Sequence, residues 1–113
     1  MKIVETPISL RELAGMAEEG FGDLVKAVVD VDRGVMAIDA EMHSDEEAVL
    51  LEQGSRQESL WGINLYPRLA GEEFVEFDSM INIRPSRGNR SRGVDDAETR
   101  ARIRSVVESL IEA

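Results

Sequence analysis

A chain of 113 residues, 42% hydrophobic and 32% charged, is long enough for one domain with a real core. It is too short for a TIM barrel, a full dinucleotide-binding domain or a multidomain enzyme. Its 23 acidic residues outnumber 13 basic ones for a net charge of −10, which argues against general nucleic-acid binding because phosphates are repelled, and the absence of cysteine excludes disulfides, thiolate catalysis, zinc–thiolate sites and iron–sulfur clusters.

The first predicted element is a helix from about Ser9 to Glu19. Ser9 and Glu12 have capping-box spacing, Ile8 and Leu13 the spacing of a hydrophobic staple, and Gly20 and Gly22 end it. Leu24–Val31 and Val35–Met42 are apolar, β-branched runs around Asp32-Arg33-Gly34, the pattern of a hairpin. A second helix is expected over about Asp45–Gln53, with Ser44 as cap, Glu47 completing the box and Gly54 in the left-handed position beyond. Leu60–Tyr66 and Phe74–Ile83 alternate as a second hairpin, connected through Pro67 and Gly71. Pro85–Gly93 has no periodicity and is expected to be a loop. The last helix starts at Asp95 or Asp96, with Asp95 and Glu98 as a third box, and carries the stripe Ile103, Val106, Val107, Leu110 and Ile111.

This α-ββα-ββα order predicts a single α+β domain over residues 1–113, with a four-stranded antiparallel sheet and helices mainly on one face. Strand alternation directs Val25, Ala27, Val29, Val31, Met36, Ile38, Ala40, Trp61, Ile63, Leu65, Val75, Phe77, Ile81 and Ile83 toward the helices. The other face receives Lys26, Asp30, Asp39, Glu41, Asn64, Tyr66, Glu76, Asp78, Asn82 and Arg84. That face is read either as a solvated surface or as a binding surface; Asn64 and Asn82 favour binding, because asparagine is depleted in strands. No segment approaches the roughly 20 apolar residues of a bilayer span. The N-terminal residues lack the apolar stretch of a signal peptide, so no membrane association and a cytoplasmic location are expected.

Two groups of residues carry candidate chemistry. Asp39, Glu41 and His43 are spaced two apart, so a continuous strand would point all three the same way. One histidine with two carboxylates suits general acid/base catalysis or a divalent metal, whereas the plainer reading has His43 facing water ahead of a helix. A serine–histidine pairing of His43 with Ser55 or Ser79 has no nucleophile-elbow pattern behind it. Phosphate-loop and dinucleotide glycine patterns are absent, and no cofactor is expected.

The second group is the run Ile83–Gly93, which packs Arg84, Arg87, Arg90 and Arg92 among small polar residues. Residues 1–83 hold 6 basic and 18 acidic residues, a net of −12, whereas residues 84–113 hold 7 and 5, a net of +2. Guanidinium groups bind phosphate and carboxylate in a forked geometry. Asn64, Asp78, Asn82, Arg84, Arg87, Asn89 and Arg90 are therefore a candidate site for a small anionic ligand or an acidic protein surface. The competing reading is ion pairing with the acids of residues 1–83, within the chain or across a homo-oligomer.

Three segments carry a family resemblance: His43–Ser55, Leu60-Trp61-Gly62-Ile63-Asn64-Leu65-Tyr66-Pro67, and Phe77–Pro85 followed by Gly88-Asn89-Arg90-Ser91. With them the chain resembles, over nearly its whole length, a family of small prokaryotic proteins of unknown function. Arg87 stands where that resemblance leads one to expect glutamine. The resemblance implies no activity and no residue role.

Overall fold

The computed structural model describes all residues, 1–113. Strand β1 (Lys2–Val4) and the short β2 (Ile8–Ser9) precede helix α1 (Leu10–Glu19). Strands β3 (Val25–Asp30) and β4 (Val35–Ile38) lead to helix α2 (His43–Glu52), and β5 (Leu60–Leu65) and the two-residue β6 (Val75–Glu76) follow. Helix α3 (Ala97–Leu110) ends in β7 (Ile111–Glu112).

The main sheet is antiparallel, with strand order β1-β4-β3-β5-β6. It has five strands rather than the expected four, because β1 adds to the free edge of β4 with Ile3 opposite Ala37. A separate parallel pair, β2 with β7, ties the start of α1 to the end of α3.

Local chemistry sets the ends of several elements. The Ser9 hydroxyl accepts the Glu12 amide at 3.0 Å and starts α1. Asp96, not Asp95, caps α3 by accepting the Thr99 amide at 2.9 Å. At the β3–β4 turn the Asp30 carboxylate accepts the Asp32 and Arg33 amides, both at 2.9 Å, and Gly34 supplies the positive φ of 69°.

Alternation puts Val25, Ala27, Val29, Met36, Ile38, Ile63 and Leu65 on one face, where they form the main core with Leu13 and Ala17 of α1 and Ile103, Val107 and Leu110 of α3. The expectation of helices mainly on one face needs correction for α2. Its Leu50 packs against Val28, Val35, Ala37 and Leu60 on the opposite face, so that face is covered at its centre and not an open polar surface. Complete burial of one leucine contributes roughly 1.5–3 kcal/mol, and Leu50 is the single apolar residue α2 buries fully.

Two predicted strands are shortened. β4 stops at Ile38, and Asp39 adopts a positive φ of 69°, so Ala40 lies beyond the sheet. The run Phe74–Ile83 pairs only at Val75–Glu76 and then turns through a short 3-10 segment at Met80–Asn82. Ile81 packs on the second core and Ile83 is exposed, so neither faces α1 and α3 as expected.

Candidate functional site

The underside of α2 is the first candidate. The positive φ at Asp39 turns the chain off the sheet before the helix begins at His43. Asp39, Glu41 and His43 therefore do not share a strand face, and Glu41 is exposed. No three His, Asp or Glu side chains gather closely enough to hold a metal ion. Met42 precedes the helix and no side chain caps it, so Ser44 is not the cap expected from the capping-box pattern.

His43, Glu46 and Leu50 are the buried residues of α2, at the i, i+3, i+7 spacing of one helical face. His43 Nε2 lies 2.8 Å from the Ile63 carbonyl, which fixes the proton on that nitrogen. Burial holds the His43 pKa below the ordinary histidine value, so the ring is neutral at neutral pH. The carboxyl of Glu46 is fully buried. Its Oε2 accepts the Ala40 amide at 3.0 Å, while Oε1 has no partner. Burial pushes its pKa up to about 9, so it is a neutral acid at neutral pH.

The sheet beneath supplies Lys26 and Asn64, which stand opposite each other on β3 and β5. Asn64 Nδ2 donates to Glu76 Oε1 at 2.8 Å, and Tyr66 donates to the same oxygen at 2.9 Å. Burial and the Glu76 carboxylate push the Tyr66 hydroxyl up to about 12. Asn64 Oδ1 is buried without a partner. The Lys26 ammonium lies 5.0 Å from the centre of the Phe21 ring and forms no ion pair. Glu46 and His43 are thus both neutral, and the Asn64 and Tyr66 donors converge on Glu76.

The second candidate is the arginine loop, and here two asparagines hold the backbone. Asn82, fully buried, accepts the Gly62 amide at 2.8 Å and donates to the Gly62 carbonyl and the Arg92 carbonyl, both at 2.9 Å. Its side chain takes the place of a neighbouring strand along β5. Gly62 is required at that contact, because a Cβ there would lie 2.5 Å from the Ser79 side chain. Asn89 donates to the carbonyls of Asn82 and Gly93 and accepts the Asp95 amide, within 2.9 Å in each case. Reciprocal backbone bonds between Arg84 and Asn89, at 2.7 and 3.1 Å, close the intervening turn.

The arginines are mostly engaged. Arg84 donates to the Leu60 carbonyl, lies 3.7 Å from Glu47 and sits 4.8 Å over the Trp61 ring. Arg87 pairs with Glu58 at 2.7 Å and Arg92 with Asp78 at 2.6 Å. Arg90 forms no ion pair; only its backbone amide is held, by Asp95 at 3.2 Å.

Of the anion-site residues named from the sequence, Arg84 and Arg87 come together on one groove, whereas Asn82 and Asn89 turn inward to backbone groups and Asn64 lies in the α2 cluster. The groove has a volume of about 610 Å³ and is also lined by Glu47, Glu58, Met80 and Ile83. Met80 is 65% and Ile83 38% exposed. No sequence pattern marks Glu47, Glu58 or Met80 for this site, since their proximity depends on how α2 and the Met80 turn pack. Trp61, expected to pack only, does pack on the core and carries Arg84 as well.

A family model described as a protein of unknown function, DUF5674, matches residues 2–110. No curated protein and no solved structure matches the chain.

Proposed function

The chain belongs to the DUF5674 family of proteins of unknown function, and within that frame we propose that it is a binding module whose Arg84–Arg87 groove docks an acidic surface of a protein partner. The observation that carries this reading is the juxtaposition of exposed Met80 and Ile83 with Arg84 and Arg87 on one groove. Apolar anchors beside arginine are the residue types that contribute most at protein interfaces.

Arg84 is held in advance by Trp61 and the Leu60 carbonyl, so little side-chain freedom is lost when it engages a carboxylate. The Arg87 side chain is 61% exposed and its pairing with Glu58 open to water. Exposed pairs of this kind contribute at most about 1 kcal/mol, so a partner carboxylate can exchange with Glu58. The groove's own Glu47 and Glu58 disfavour a free small anion. An acidic protein segment brings apolar side chains for Met80 and Ile83 as well.

The test is a nuclear magnetic resonance titration of the whole chain with a synthetic Glu/Leu peptide, a Lys/Leu peptide and phosphate. The expected result is movement of the amides of residues 80–87 with the acidic peptide alone, weakened by salt and lost in Met80→Ser/Arg87→Glu. No movement at millimolar acidic peptide, or equal movement with the basic one, overturns the proposal.

A further inference from the structure

A second concavity lies where the β2–β7 pair joins the start of α1 to the end of α3. It has a volume of about 340 Å³, within the range of small-molecule sites, and its walls are mainly apolar, including Leu10, Leu69, Phe74, Val107 and Ile111. Arg104 is the only basic side chain lining it. The guanidinium sits 5.0 Å over the Phe77 ring and donates to the Glu72 carbonyl at 3.3 Å. It forms no ion pair, unlike Arg84, Arg87, Arg92 and Arg102 of the same C-terminal segment.

We propose that this cavity binds a small hydrophobic monocarboxylate, its alkyl or ring body against Leu10, Phe74, Val107 and Ile111 and its carboxylate on Arg104. Apolar walls select the body by removing its surface from water. A guanidinium already braced by an aromatic ring and one carbonyl, and free of any acid, selects the head group. Glu108 and Glu112 also line the cavity. Their charge limits the ligand to one negative charge, so a carboxylate is preferred over a phosphate monoester, which approaches two charges at neutral pH. The site shares no lining residue with the Arg84–Arg87 groove, so either reading can fail without the other.

The experiment uses the whole chain with octanoate below its micelle concentration, followed by calorimetry, amide shifts and thermal unfolding. Octanol and octyl phosphate are run beside it. Octanoate is expected to raise the Tm, since a ligand that binds only the folded state stabilises it, and to move the amides of residues 69–75, 104, 107 and 111. Octanol and octyl phosphate should each bind about tenfold more weakly, the worth of a charge-assisted hydrogen bond. Arg104→Gln should bring octanoate down to the affinity of octanol. Val107→Trp, which fills the cavity, should abolish binding of both, and Leu69→Glu at the exposed lip does the same to octanoate by repulsion without touching the core. No response to millimolar octanoate overturns the proposal. So does equal binding of octanol, tighter binding of octyl phosphate, or an unchanged octanoate affinity in Arg104→Gln or Leu69→Glu.

Discussion

The loop from Ser79 to Asp95 and the first turn of α2 both bury polar side chains, yet they treat them differently. In the loop, the side-chain amides of Asn82 and Asn89 are bonded at both oxygen and nitrogen. Under α2, Glu46 Oε1 and Asn64 Oδ1 are buried with no partner. A fully paired buried network holds one conformation, whereas an unpaired buried acceptor costs on the order of 1–3 kcal/mol. The loop therefore acts as a rigid mount for the groove arginines, and the α2 turn stores a cost that protonation of Glu46 limits.

The contrast can be broken most severely at Asn82. Asn82→Ala removes its side-chain bonds and strands both backbone groups of Gly62. The expected loss is about 4 kcal/mol, given the cost of each buried group left unpaired, read by urea unfolding with m unchanged. A loss below 1 kcal/mol would show that water replaces the side chain and that the loop is not a rigid mount.

Gly62→Ala comes next. Its Cβ would meet Ser79 at 2.5 Å, and overpacking of this kind costs about 2–3 kcal/mol. Ser79→Gly in the same chain should recover part of that loss. A neutral Gly62→Ala would mean that the Met80 turn moves freely against β5.

The α2 turn is tested through pH. The folded pKa of Glu46, about 9, lies above the ordinary glutamate value of 4.5. The folded state therefore keeps a proton that the unfolded state loses, and stability falls as pH rises from about 4.5 to about 9. His43 works in the opposite sense. Its folded pKa is depressed below 6.5, so its contribution is present above that value and is lost as pH falls through it toward the folded pKa. Glu46→Gln mimics the neutral acid. It should flatten the alkaline limb and be more stable than the parent at pH 8, leaving the His43 limb in place. An unchanged slope from pH 6.5 to 8 in Glu46→Gln would place the titration elsewhere.

The smallest effect is expected at Arg87→Ala, less than about 0.5 kcal/mol, since its pair with Glu58 is exposed. Circular dichroism melts check this, and a large loss would make Arg87 a structural residue rather than a groove residue.

Much of the local structure was legible in the chain. The α1 cap at Ser9, the hairpin at Asp32–Gly34, the left-handed Gly54 and the α3 stripe of Ile103, Val106, Val107 and Leu110 rest on neighbouring residues and appear where the pattern puts them, whereas Ile111 lies beyond the helix in β7 and is half-buried. The alternation that sends Val25, Ala27, Val29, Met36, Ile38, Ile63 and Leu65 into one core also holds. α2 was harder to orient, because its buried face carries His43 and Glu46 beside Leu50, and polar residues hide the helical period. β1 offers three residues and gains a partner only from β4, more than thirty positions along the chain. In the candidate anion site, the sequence grouped Arg84 and Arg87 with Asn82 and Asn89 by proximity in the chain. It could not separate groove residues from backbone holders, since asparagine has the same donors and acceptors in either role.

The sequence alone determined an antiparallel α+β domain, its hairpin at Asp32–Gly34, two of its helix starts to within a residue and the sorting of its central strands, because caps, turns and alternation depend on residues within a few positions of one another. Only the tertiary structure decided that α2 covers the second face, that Asn82 stands in for a strand beside Gly62, and that Glu46 keeps its proton. Each of these depends on which distant surface meets the side chain and how much water that meeting removes.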